Sequence, residues 1–137
     1  MNLDFSDDQK FLKEEARKFL EKEEALARNR SVLESNNKVD ENLWNKIVEL
    51  GWTGIRIPEK YDGLGLGHLE LCVVAEELGR FLAPVPFSSS VYLFTETIIN
   101  FGSEAIKQAI LPKLVTGEIV GTLAVTEALM APSKDNI

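Results

Sequence analysis

The chain has 137 residues, enough for one domain of ordinary size, and its 22 acidic against 15 basic residues give a net charge of −7. Apolar residues at 45% and charged residues at 27% describe a globular chain rather than a disordered one, and the acidic balance argues against nucleic acid or anionic membrane, both of which need a basic face. A single cysteine, Cys72, excludes an internal disulfide; no apolar run approaches the ~20 residues that span a bilayer, and the acidic start MNLDFSDDQ fits neither a secretory signal nor a transit peptide, so a cytoplasmic protein is expected.

A first helix is expected from Ser6. Ser6 and Gln9 have capping-box spacing, and Asp7 and Asp8 stand where the helix dipole favours negative charge. Phe11, Leu12, Ala16, Phe19 and Leu20 fall on one face, with Glu14, Glu15, Glu21, Glu23 and Glu24 as a solvated opposite face. The polar segment Asn29–Lys38 reads as a loop. Asp40 can cap a second helix whose buried stripe is Leu43, Trp44, Ile47, Val48 and Leu50, ended by Gly51. Trp52–Pro58 should be extended, because the residue before a proline avoids helical angles. Three glycines within Gly63–Gly67 mark a tight loop. Their spacing lacks the third glycine of a dinucleotide fingerprint, and no clear βαβ unit surrounds them.

Leu69–Leu82 is the most apolar helix, expected to be buried between neighbours, with Cys72 in the core and Glu76 and Glu77 as a polar edge near its end. His68, the only histidine, has no catalytic or metal partner close in sequence and reads as structural or exposed. Pro84 and Pro86 break the helix, and Ser88, Ser89 and Ser90 offer caps for the next, which carries Val91, Leu93, Phe94, Ile98 and Phe101. Ser103 caps a last helix with Pro112 inside its pattern, where a kink or a restarted turn is expected, and Gly117 ends it. Gly121–Glu127 (GTLAVTE) suits a strand, since Leu123, Val125 and Thr126 pack well on a pleated surface. The expected class is therefore all-α: a bundle of about five to six helices, followed by one short C-terminal β-strand that begins an absent β-domain.

Five motifs in order, DFSDDQKFLKEEARKFL, LWNKIVELGWTGIRIPEKYDGLGLG, LCVVAEELGR, LPKLVTGE and GTLAVTE, together resemble the acyl-CoA dehydrogenase family. The resemblance implies that 1–119 is the N-terminal helical domain and that 120–137 begins a truncated middle β-domain. It implies FAD as cofactor, oxidation of the Cα–Cβ bond of an acyl-CoA thioester, an electron-transfer flavoprotein as electron acceptor, and a homo- or hetero-oligomeric enzyme. It places Leu123, Val125 and Thr126 beside the flavin, and Ser89, Ser90 and Leu93, with Phe94 nearby, against the acyl chain. It assigns no catalytic residue here, because the family's base glutamate lies in a C-terminal domain, and it calls for no metal. The pattern departs after Glu127, where no proline follows and Pro132 stands about where the family has a serine. A free-standing, non-catalytic helical module that binds a partner protein or an acyl-CoA-like ligand is the alternative.

Overall fold

The computed structural model describes residues 4–124. Six α-helices carry the fold: α1 (Asp7–Lys22), α2 (Ala25–Glu34), α3 (Glu41–Glu49), α4 (His68–Arg80), α5 (Glu96–Phe101) and α6 (Glu104–Val115). Two short 3-10 turns, Trp52–Gly54 and Glu59–Tyr61, separate α3 from α4, and a π-helix, Ser88–Thr95, runs directly into α5. No strand occurs among the described residues, so the all-α class stands. Gly121–Ala124, the first part of the expected strand, has no regular secondary structure, and Val125–Glu127 lie outside the described residues.

Three helices start where their caps stand in the sequence. The Ser6 hydroxyl accepts the Gln9 N–H while the Gln9 side chain accepts the Ser6 N–H, a complete capping box. Asp40 accepts the Leu43 N–H at 2.9 Å, and Ser103 caps α6 through the Ile106 N–H. Gly51, at φ +75°, turns the chain after α3 in a region that L-residues avoid, and Gly117, at φ +69°, does the same after α6. α6 continues through Pro112 as one helix, rather than restarting there.

Several expectations are corrected. The predicted loop 29–38 is helical as far as Glu34. Its helix follows Glu24, held at φ +52°, and is anchored from outside: Arg28 pairs with Glu23 and Asp40, and the Asn29 amide donates to Leu82 O at 2.7 Å. Trp52–Pro58 is not extended, because Gly54, Ile55 and Ile57 donate back to Gly51, Trp52 and Gly54 as successive turns. Cys72 is exposed, as are Leu69 and Leu82, so α4 has one solvent-facing side. Glu77, expected on a polar edge, is completely buried, whereas Glu76 remains near solvent. Glu23 is only slightly exposed because Arg28 and Lys46 both bind it. Phe11 and Leu50 lie at the rim of their stripes rather than in the core.

Two apolar cores result. The first joins Ala16 and Leu20 of α1, Leu43, Trp44 and Ile47 of α3, Leu71, Val74 and Leu78 of α4, and Phe87 and Val91. Phe19 meets Trp52 edge-on, with ring centroids 5.4 Å apart. The second joins Ile57 and Tyr61 to Leu111 and Leu114 of α6, with Phe94 and Ile98 packed against it. Burying each such aliphatic side chain contributes roughly 1.5–3 kcal/mol. The π-helix lies between the cores, sending Val91 to the first and Phe94 to the second.

The glycine loop is tight, as its composition requires. Leu64, Gly65 and Leu66 donate to the carbonyls of Gly54, Ile57 and Ile55, and a Cβ on Gly63 would overlap the Ile57 carbonyl oxygen. No side chain other than hydrogen fits there.

Candidate functional site

The residues expected to contact an acyl chain all sit on the π-helix. Ser90 and Val91 are buried, Ser89 and Phe94 are half-buried, and Leu93 is exposed at 47%. The three serines do not cap this helix. The Ser89 hydroxyl donates to Pro86 O at 3.1 Å, while the Ser90 hydroxyl accepts the Gly121 N–H at 3.4 Å. The Thr95 hydroxyl donates to Ser90 O at 2.8 Å across the turn. π-helical geometry is rare and gathers at functional sites, and here it lets Ser90 reach the segment that follows α6.

Gly121 lies directly on the Phe94 ring. A Cβ added to Gly121 would overlap the ring carbons Cδ1 and Cγ. The structure thus brings the predicted acyl-side residues Ser90 and Phe94 against the first residue of the predicted flavin-side segment. Two positions further on, Leu123 is exposed at 39%. Val125 and Thr126, the other two flavin-side candidates, lie outside the described residues. The sequence reading missed Gly121. The available signal was a glycine opening a strand pattern, which often marks a close backbone approach.

Charged groups hold the far end of this wall. Arg56 Nε donates to Glu96 Oε1 at 2.8 Å, and its Nη1 donates to Leu66 O at 2.7 Å. Glu96 opens α5 immediately after the π-helix, so this pairing ties the wall to the glycine loop. His68 is exposed, with Nε2 3.6 Å from Glu96 Oε1. On the opposite side, Tyr92 packs edge-on to Phe87 at 5.5 Å. Burial, with a smaller contribution from neighbouring Cys72, pushes its phenol up to about 12. It stays neutral at physiological pH and works as a packing group. It borders a cleft of about 340 Å³ shared with Leu78, Val85 and Phe87.

Among the described residues no cluster of three or more His, Cys, Asp or Glu could hold a metal ion, and no helix is long and apolar enough to cross a membrane. The site elements are side-chain hydroxyls, apolar surface and a closely held backbone. Among the described residues, the Ser90–Gly121 junction carries a hydroxyl, an aromatic ring and backbone, with no titratable side chain named in it.

The class defined by this arrangement is an all-α helical domain. The family model for the acyl-CoA dehydrogenase N-terminal domain matches residues 6–118. The mitochondrial isovaleryl-CoA dehydrogenase of Oryza sativa subsp. japonica is 35% identical over 127 residues, covering 90% of this chain and 31% of its own length. A chain in the structure of the electron transferring flavoprotein of Acidaminococcus fermentans superposes with a TM-score of 0.77 at 32% identity, over 94% of this chain and 34% of its own. The acyl-CoA dehydrogenase complexed with FAD from Bacillus anthracis superposes with a TM-score of 0.74 at 29% identity, over 93% of this chain and 22% of its own. The chain belongs to the acyl-CoA dehydrogenase family and carries its N-terminal helical domain. It spans about a third of the length of the curated relatives it matches.

Proposed function

We propose that this chain is the N-terminal part of an FAD-dependent acyl-CoA dehydrogenase that desaturates the Cα–Cβ bond of an acyl-CoA thioester. The observation that carries this reading is the junction of Ser90 and Phe94 with Gly121. It brings two of the residues read as the acyl side against the first residue of the segment read as the flavin side, which supports the reading. Ser89, Ser90 and Leu93, with Phe94 nearby, line the acyl side; Leu123, Val125 and Thr126 face the cofactor. The exposed Leu123 suits a flat ring that takes apolar contact on an otherwise uncovered segment. Bound flavin supplies the hydride acceptor. This chain's residues hold the thioester's acyl group against it and exclude water from one side. No glutamate of this chain is assigned the α-proton, because the family resemblance places that base in a C-terminal domain and not in the N-terminal helical domain matched here. Electrons pass on to an electron-transfer flavoprotein, the acceptor that the family resemblance implies. The working assembly is an oligomer, and residues 120–137 open the middle domain.

The test is to purify the gene product that carries this chain and record its visible spectrum. A yellow protein whose flavin bleaches with acyl-CoA supports the reading. A colourless product that binds acyl-CoA or a partner without bleaching supports a non-catalytic module instead.

A further inference from the structure

The contact between Phe94 and Gly121 fixes where the chain leaves the helical domain. Three observations converge on it. The Phe94 ring is backed by the second core, in company with Ile57, Leu111 and Leu114, so it cannot swing away without opening that core. Gly121 presents only hydrogen to the ring, and any β-carbon would collide with Cδ1 and Cγ. The Ser90 hydroxyl, itself buried, takes the Gly121 N–H and sets the orientation of that peptide. The φ angle of Gly121 is outside the left-handed region, so the glycine is demanded by the ring and not by backbone conformation.

We propose that Phe94 and Gly121 are a size-matched pair and that Gly121 is a positioning residue: the pair sets the distance between the π-helix wall and the segment beginning at Thr122, and hence the gap into which the acyl group and the flavin fit. The inference rests on the functional reading above and deepens it. A side chain at 121 pushes the following segment outward by about the thickness of a methyl group. Leu123, two residues on, moves with it. A misplacement of about 1 Å at a reacting pair lowers turnover on the order of a hundredfold.

The experiment compares four versions of the gene product that carries this chain: wild type, G121A, F94A and F94A/G121A. Each is assayed for kcat and KM with acyl-CoA, for the flavin absorption band and for thermal midpoint. G121A is expected to lower kcat at least tenfold and to shift the flavin band, with KM changed less. In F94A/G121A the room left by the ring accepts the new methyl, so kcat and the flavin band recover towards F94A. A merely structural contact would move the thermal midpoint and leave the kcat–KM split and the flavin band unchanged; that result overturns the proposal. Should G121A fail to fold, the double variant decides: recovery of folding and flavin supports the pair, and failure of both overturns it. A wild-type product without flavin or acyl-CoA oxidation overturns the functional reading and this proposal with it. A flavin-loaded wild type with an indifferent G121A overturns the proposal alone.

Discussion

The Glu77 carboxylate, wholly buried in α4, accepts two hydrogen bonds from Arg17 of α1, from Nε at 3.0 Å and from Nη2 at 2.9 Å. Arg80, one turn along α4, adds Nε at 3.2 Å from the same carboxylate. The neighbouring Glu76 accepts the Lys13 ammonium at 2.8 Å. α1 and α4 are therefore joined by a two-step ion ladder as well as by their apolar faces. Removing a partner is costly because a buried charge is left behind, whereas replacing both partners by apolar groups is tolerated. R17A is expected to lower stability by about 2–3 kcal/mol, less than the ~3–5 kcal/mol for a fully broken buried pair because Arg80 retains its contact. Urea unfolding checks this through a lower midpoint at an unchanged slope, and R17M/E77L should recover most of the loss.

The same ladder gives the domain an acid limit. Hydrogen bonding from Arg17 holds the Glu77 carboxyl below its ordinary value of 4.5; burial opposes this, and the charges of Arg17, Arg80 and Lys13 reinforce it. A depressed carboxyl binds fewer protons folded than unfolded, so its contribution is complete above about pH 4.5 and disappears as the pH falls through the folded-state value. Glu76, lowered by Lys13, has the same sign. E77Q should therefore show a flatter fall of unfolding free energy below about pH 4.5 than the wild type. Equal slopes in denaturant titrations across that range would exclude Glu77 as the acid-sensitive group.

Local signals carried much of this fold, and long-range partners carried the rest. Ser6 with Gln9, Asp40 and Ser103 act as caps because capping needs only residues within three positions. α2 is illegible because Asn29 and Ser31 favour turns on their own; the helix is anchored through Arg28, which pairs with Glu23 and Asp40, and through Asn29, which donates to the distant Leu82 carbonyl. Ser90 looked like a cap for the same local reason, yet its hydroxyl serves a peptide 31 residues later. Glu77 was hidden beside Glu76, since two adjacent acids read alike until the fold places Arg17 over one of them. The family motifs single out Ser89, Ser90, Leu93 and Phe94 but give no hint that Gly121 closes on Phe94.

Asp40 combines three tasks. Its Oδ1 caps α3, its Oδ2 meets Arg28 Nη1 at 3.2 Å, and its N–H donates to Pro84 O at 2.8 Å. The first two belong to the side chain. D40A is expected to cost about 1–2 kcal/mol, the upper part of the range for losing a helix cap, because α2 also loses an anchor. D40N keeps the cap oxygen and should cost less than half as much. Thermal unfolding gives the ranking, and hydrogen exchange locates the loosening: faster exchange in both α2 and α3 for D40A, and in α2 alone for D40N.

Leu93 separates the binding role of the wall from its packing role. Its side chain is exposed at 47%, whereas Leu111 in the second core is fully buried. L111A should destabilise the domain by about 2–5 kcal/mol through the cavity it leaves. L93A should change stability by no more than about 0.5 kcal/mol, because little packing is lost. If the acyl group lies on the π-helix, however, L93A removes apolar contact that substrate and transition state share. That loss raises KM with kcat nearly unchanged. About 1 kcal/mol of lost contact corresponds to roughly a fivefold rise in KM for acyl-CoA. An L93A enzyme with wild-type KM and wild-type thermal midpoint would place the acyl group on another surface, and Ser89 and Ser90 would then be packing residues only.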